Sequence, residues 1–295
     1  MQIIYTILLF FTSLFVIRYI AYHSCIDWKN DRSVPCNPKY DKMYEEALKE
    51  PNQLLADYDK LNIESFRQGY YTCLLRKYPW SNASDFHLEL ANIQDGQHLL
   101  DVGCGTGVHA IHYCKKMPHL TISCIVNSQK CFQQTFENIE KAKLSSRIKV
   151  YFMDFDKLEE PILSERFDRI LLIQSVGYSI DRKALFNHLH DLLKKEGKLF
   201  VSTISVSDNV DDAHINQVIK TWKYNFSKLG CILSDLKDYQ QVNYISLNQN
   251  KSTWFFLNPM DLYYTWDFNK RNHINICDLT FYFTKSMNNQ FILAS

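Results

Sequence analysis

The sequence predicts an α/β fold, a mostly parallel sheet with helices on both faces. Three observations carry this expectation. Apolar runs of strand length alternate with amphipathic stretches of helix length between residues 98 and 205. One such run, Leu99-Leu100-Asp101-Val102, feeds directly into Gly103-Cys104-Gly105-Thr106-Gly107, with a glycine at every second position. The notable polar residues fall at the predicted carboxyl ends of strands, which is where sheets of this kind bind ligands.

Taken in order, a short helix is expected over residues 85–90 and the first strand over 98–102. A helix over 108–116 is stopped by Pro118, and a strand follows over 121–126. The next helix, 129–143, places Phe132, Phe136, Ile139 and Ala142 at core-facing spacing. Strands are expected over 148–153 and 169–174. A helix over 182–194 carries Leu185, Leu189 and Leu192 on one face, and Glu196-Gly197 leads into a strand over 198–205. Beyond these come a helix over 216–229 ended by Gly230, a strand over 232–236 and a closing strand over 279–284. Upstream, residues 42–49 suit a helix, and 54–76 suit one or two helices leading into the fold.

The flanks differ in composition. Residues 2–17 carry no charge and are dominated by Ile, Leu, Phe and Val, and the run continues past Arg18 to Tyr22. A bilayer-spanning helix needs about 20 apolar residues, and this run reaches that length if Arg18 snorkels to the interface. A cleaved signal peptide is disfavoured, because a basic leading region and a small-residue cleavage site are missing. A buried helix of the domain is the remaining alternative to the favoured membrane anchor, residues 1–24. Arg18, Lys29 and Arg32 lie on its C-terminal side, which keeps the following domain in the cytosol. Residues 25–53 form a polar connector, and 54–295 the main domain. The nine cysteines include no C-x-x-C pair, which removes the usual zinc and redox readings. Their odd, scattered placement suits a reducing compartment and small buried core residues. Sequons at Asn82, Asn225 and Asn250 are accidents of composition if the domain is cytosolic. With a net charge of +1 and no basic block, the composition disfavours a nucleic-acid partner.

The glycine spacing is G-x-G-x-G, and Val108 stands where a dinucleotide turn needs its third glycine. That argues against pyrophosphate binding. The whole run 99–107 resembles motif I of the class I S-adenosylmethionine-dependent methyltransferases. Residues 167–174 resemble motif II and residues 192–199 resemble motif III. The resemblance implies a Rossmann-like, seven-stranded sheet and S-adenosylmethionine as cofactor. It implies that Gly103, Cys104, Gly105 and Gly107 pass close to the cofactor's tail and ribose. Asp101 can then fix the turn by accepting backbone N–H bonds, or face the ammonium of the tail. Asp154 is placed to accept the adenine amino proton. Phe155 is placed to serve the ring through its N–H and to stack or pack on the base.

Asn127 stands where the family usually carries a ribose-binding acid, followed by Ser128. The Asn127-Ser128-Gln129 run, and the pattern from there to Asp154, is similar to the branch containing cyclopropane-fatty-acid synthases and sterol or terpene methyltransferases. In that branch a glutamate often stands where Gln174 stands. Glutamine cannot take a proton at neutral pH, so cyclopropane formation is disfavoured, and Tyr178 becomes the best-placed polar group or a wall of the pocket. Gln174 and Tyr178 are the candidate catalytic residues, with Gln174 also facing the cofactor. The histidines His109, His112, His188, His190 and His273 show no metal-ligand pattern. Residues 249–270 are crowded with aromatics, including Trp254, Phe255, Tyr263 and Trp266, which suits either core packing or a wall over an apolar acceptor.

Together these readings point to methyl transfer onto a small lipophilic acceptor met at a membrane. A protein or polar-metabolite acceptor is the variant, and a catalytically silent scaffold of the same fold the alternative.

Overall fold

A computed structural model describes residues 28–49, 83–206, 212–248 and 287–295 of the chain. The expected anchor at 1–24, the helices at 54–76, the aromatic cluster at 249–270 and the closing strand at 279–284 lie outside the described residues. The elements are α1 (Lys39–Leu48), α2 (Ala83–Leu90), β1 (His98–Val102), α3 (Val108–Lys116), β2 (Thr121–Val126), α4 (Gln129–Lys141), β3 (Ile148–Phe152) and β4 (Phe167–Ile173). They continue with α5 (Arg182–Asp191), β5 (Leu193–Val206), α6 (Asp212–Trp222), α7 (Leu229–Asp235), β6 (Val242–Asn248) and β7 (Met287–Ala294).

The sheet has seven strands in the order β3-β2-β1-β4-β5-β7-β6. It is mixed, which corrects the expectation of a mostly parallel sheet. Strands β1 to β5 run parallel, whereas β7 pairs antiparallel with both β5 and β6. Strands β5 and β6 therefore run in the same direction, with α6 and α7 between them in the sequence. Strand order reverses between β1 and β4, and the glycine turn leaves β1 at that point.

Period-two alternation along each central strand builds two cores. Leu99, Ile122, Cys124, Leu171 and Phe200 pack on one face with Phe86, Tyr113 and Ile139 from α2, α3 and α4. Leu100, Val102, Ile125, Ile170, Leu172 and Val201 pack on the other with Leu185, Phe186 and Leu189 from α5 and Ile232 and Leu233 from α7. Burial on both faces is what makes these strands read as nearly continuous apolar runs.

Several elements depart from expectation for identifiable reasons. Helix α4 ends two residues early because Lys143 takes a left-handed conformation at φ 58°, and the N–H of Leu144 returns to the carbonyl of Ile139 at 3.1 Å. Phe136, expected in the core, is 49% exposed; Thr135 takes the inward position instead. Helix α5 stops at Asp191, and β5 begins at Leu193 because the Lys194–Gly197 stretch forms an irregularity in the β4–β5 ladder. A Cβ on Gly197 would stand 2.8 Å from the Phe167 carbonyl oxygen. The expected strand at 232–236 is helix α7, and the helix expected over 216–229 is α6, ending at Trp222. Gly230 lies inside α7 rather than ending a helix, and a Cβ there would stand 2.3 Å from the Pro35 carbonyl oxygen and 2.4 Å from that of Val34.

The connector is not a loose tether. Lys29 pairs with Tyr244 through both backbone groups, at 2.8 and 2.7 Å. Arg32 donates to the Tyr239 carbonyl at 2.6 Å. Cys36 and Cys231 form a disulfide, which corrects the expectation that the cysteines carry no disulfide; Cys104, Cys114, Cys124 and Cys131 are free and buried as expected. This strap leads into α1, which buries Tyr40, Tyr44 and Ala47 at spacings of four and three residues. Lys223 donates to the Ala47 carbonyl at the end of α1. Arg182, its side chain only 9% exposed, binds Asp235 at 2.6 Å and Asp41 of α1 at 3.2 Å. Asn225, the one described sequon asparagine, is half-buried and donates to the same Asp41 at 3.1 Å.

Candidate functional site

The site is built on the turn after β1. Gly103, Gly105 and Gly107 all have positive φ, at 80°, 59° and 74°, a region that side chains other than glycine's disfavour. Their surroundings differ. A Cβ on Gly103 would stand 2.4 Å from Ser175 Cβ, and one on Gly107 would stand 2.8 Å from Thr135 Cγ2. At Gly105 there is open space. Two glycines thus serve close packing, and the middle one borders room for a ligand.

The turn is held from three sides. The N–H groups of Gly103 and Cys104 both donate to the Ile125 carbonyl, at 2.9 and 3.1 Å. The Ile125 carbonyl, rather than Asp101, is the acceptor for these two amides. Thr135 donates to the Gly105 carbonyl at 2.7 Å, and Asn138 to that of Thr106 at 3.1 Å. Ser175 donates to the Val102 carbonyl at 2.5 Å. Thr135, Asn138 and Ser175 were not singled out from the sequence. The only available signal was a polar pair three residues apart on an otherwise apolar helix face. Cys104 turns its side chain into the core.

Asp101 is fully buried, and its Oδ2 has no partner among the described residues. Burial pushes its carboxyl up to about 7, because the charged form is poorly solvated there. A buried, unpartnered carboxyl oxygen is what a ligand's ammonium group would complete.

The other expected residues line the same end of the sheet. Asn127 is exposed where β2 ends. Ser128 caps α4, accepting from the N–H of Cys131 at 3.3 Å. Asp154 is exposed after β3, with Oδ1 accepting from the N–H of Asp156 at 3.0 Å. The Phe155 side chain is buried in the second core, which leaves its backbone rather than its ring for an incoming base. Asp156, two residues beyond Asp154, joins the loops of the site. It accepts from Ser179 Oγ at 2.5 Å and from the N–H of Ile180 at 2.7 Å, tying the β3 loop to the β4 loop.

Gln174 follows β4 with φ 58°, a left-handed conformation unusual outside glycine. Its backbone N–H donates to the Ser202 carbonyl at 2.8 Å. Ser175 follows at once and is the residue packed under Gly103, so Gln174 adjoins the glycine turn. Tyr178 is half-buried, its ring edge-on to Tyr224 at 4.9 Å. Its carbonyl accepts from the Tyr44 hydroxyl of α1 at 3.3 Å, so the strap reaches the rim of the site. Gly177 lies flat on the Tyr224 ring, where a Cβ would stand 2.3 Å from ring carbons. Among the described residues no group of three His, Cys, Asp or Glu side chains is placed to hold a metal ion.

Comparison with known proteins gives this arrangement a context. The family described as "Methyltransferase domain" matches residues 74–243. The chain is similar to (S)-tetrahydroprotoberberine N-methyltransferase of Eschscholzia californica, 26% identical over 50% of this chain and 37% of that one. It is also similar to (S)-coclaurine N-methyltransferase of Papaver somniferum, 24% identical over 56% of this chain and 48% of that one. The chain thus spans about half or less of the length of these relatives. Among solved structures, coclaurine N-methyltransferase bound to N-methylheliamine and SAH matches with a TM-score of 0.55, at 17% identity over 72% of this chain and 70% of that one. Geranyl diphosphate methyltransferase matches with a TM-score of 0.56, at 15% identity over 72% and 83%. At these identities the structures establish a shared fold.

Proposed function

Because this chain belongs to the methyltransferase-domain family, we propose that it transfers the methyl group of S-adenosylmethionine to a small-molecule acceptor, and that the acceptor atom is an amine nitrogen. Two observations carry the first part: Gly105 is left-handed and borders open space, and buried Asp101, at the end of the preceding strand, keeps a carboxyl oxygen without a partner among the described residues. The second part rests on the relatives, which are named as N-methyltransferases.

When bound, S-adenosylmethionine supplies a methyl group on a positively charged sulfur. The chain's own residues bind and align. The Gly103–Gly107 turn lets backbone approach the ligand closely, and Asp101 answers its ammonium group. Asn127 offers an amide to a ribose hydroxyl, more weakly than a carboxylate would. Asp154 and the Phe155 backbone receive the adenine edge. Gln174 and Tyr178 line the acceptor side. Gln174 cannot take a proton, so the amine must arrive with its lone pair available. Alignment alone can supply roughly 7–11 kcal/mol of the barrier, which is why such a site needs no general base.

The same proposal gives the acceptor an apolar body, on the strength of the aromatic run at 249–270, and a meeting place at a membrane, on the strength of residues 1–24. Among the described residues no helix is long and apolar enough to cross a membrane. The Cys36–Cys231 disulfide removes the cysteine argument for a cytosolic domain, and the flanking charges remain its support.

Incubation with methyl-labelled S-adenosylmethionine and a host extract tests the reading. Label is expected in small molecules that move into organic solvent at alkaline pH and into water at acid pH, as amines do. Label confined to protein, or no transfer, contradicts it. Full-length chain should sediment with membranes and lose that behaviour without residues 1–24; a full-length chain left in the supernatant overturns the anchoring.

A further inference from the structure

Gln174 is the end of a hydrogen-bonded chain that runs into the core. Its side-chain Nε2 donates to Ser202 Oγ at 3.2 Å, and Ser202 Oγ lies 3.4 Å from His87 Nε2. Ser202 and His87 are fully buried. The His87 ring is enclosed by Phe86, His109 and Phe200, with ring centroids 5.3 to 6.0 Å away. Burial holds the His87 imidazole down at about 3, so it is neutral at working pH.

Ser202 Oγ receives the amide N–H of Gln174 and at the same time faces His87 Nε2; a serine oxygen accommodates both contacts. The amide of Gln174 is held nitrogen-inward. Its oxygen Oε1 is not used by Ser202 and has no partner among the described residues. The left-handed backbone of Gln174, tied to the Ser202 carbonyl, holds the amide beside the glycine turn.

We propose that Ser202 and His87 are positioning residues for Gln174: they pin its amide nitrogen and leave its oxygen to favour the cationic sulfonium of the methyl donor over the neutral thioether that remains after transfer. This rests on the methyl-donor reading above. It assigns to a neutral glutamine a preference for the donor over the spent product, which a proton-accepting residue would supply only in its charged form.

The test is calorimetric titration of the purified full-length chain with S-adenosylmethionine and with S-adenosylhomocysteine, which needs no acceptor. In Ser202→Ala and in Gln174→Met the preference for the sulfonium form should fall at least threefold, with S-adenosylhomocysteine affinity unchanged. The double variant should lose no more than either alone, since Ser202 acts through Gln174. Unchanged preference in the single variants, or losses that add, overturns the proposal. Gln174→Met changes only the site end of the chain and keeps the test open if Ser202→Ala fails to fold. A wild-type chain that binds neither ligand refutes the methyl-donor reading itself, whereas binding of both with no change in preference refutes only the positioning role.

Discussion

Burial alone raises the Asp101 carboxyl to about 7, so this residue changes charge within the working range of pH. A raised carboxyl stabilises the fold fully below its unfolded value, and that contribution is lost as pH climbs through about 7. A cationic ligand group reverses the balance by favouring the ionised form. Affinity for S-adenosylmethionine should therefore rise several-fold from about pH 6 to about pH 8, with proton release on binding. Titration in buffers of different ionisation heat measures this release, and Asp101→Asn should abolish it. If affinity is flat across that range in the wild type, Asp101 does not meet the ammonium. Gly103 makes a different prediction. With Ser175 Cβ 2.4 Å from any added Cβ and φ at 80°, Gly103→Ala should lower the melting temperature by many degrees, whereas a shift of a degree or two contradicts the packing described.

At the scale of elements, α4 props the glycine turn. Thr135→Val keeps the shape and removes the donor to the Gly105 carbonyl. A lost hydrogen bond with a stranded acceptor costs about 1–3 kcal/mol, measurable by urea unfolding, and cofactor affinity should fall with it. A variant with wild-type stability and affinity would show that the turn stands without this prop. The same helix shows what the sequence made legible. The strands β1 to β3, together with α3 and α4, were readable because apolar period and glycine spacing act locally. The inward Thr135 and outward Phe136 were not, because a threonine that bonds a distant carbonyl looks like a surface residue until the carbonyl's position is known. The helix α7, expected as a strand, reads as apolar by either period, and its contact with Val34 and Pro35 across the chain decides the outcome. Gln174 was legible as a candidate from its place at a strand end. Its partners Ser202 and His87 were not, since nothing in their neighbours reveals a chain of contacts 28 and 115 residues long.

For the whole molecule, the strap from Trp28 through α1 belongs to the domain rather than to a tether. The disulfide links residues 195 apart, and the chain-entropy argument gives a contribution of at most about 5 kcal/mol for a loop of that size. Arg182 adds a second clasp between α5, α7 and α1. Cys36→Ser should speed amide hydrogen exchange in the strap and in α1 while leaving β1, β2 and β4 protected; equal exchange in both proteins would show that the clasp holds nothing. The mixed edge of the sheet was illegible for a related reason. Strand β7 inserts between β5 and β6 from the far end of the sequence, and antiparallel return over that distance leaves no local mark. The family resemblance carried the strand number, and the α/β alternation carried the parallel part.

The most direct test of the central claim is titration of S-adenosylmethionine into the purified chain beside its Gly105→Ala variant. Gly105 borders open space, so an added methyl group costs backbone strain of about 1–2 kcal/mol and meets no protein atom. The wild type should bind saturably, one to one, and the variant should lose binding while keeping its circular dichroism spectrum and cooperative unfolding. Binding of equal strength in both, or none in the wild type, would contradict the assignment of the glycine turn as a methyl-donor site.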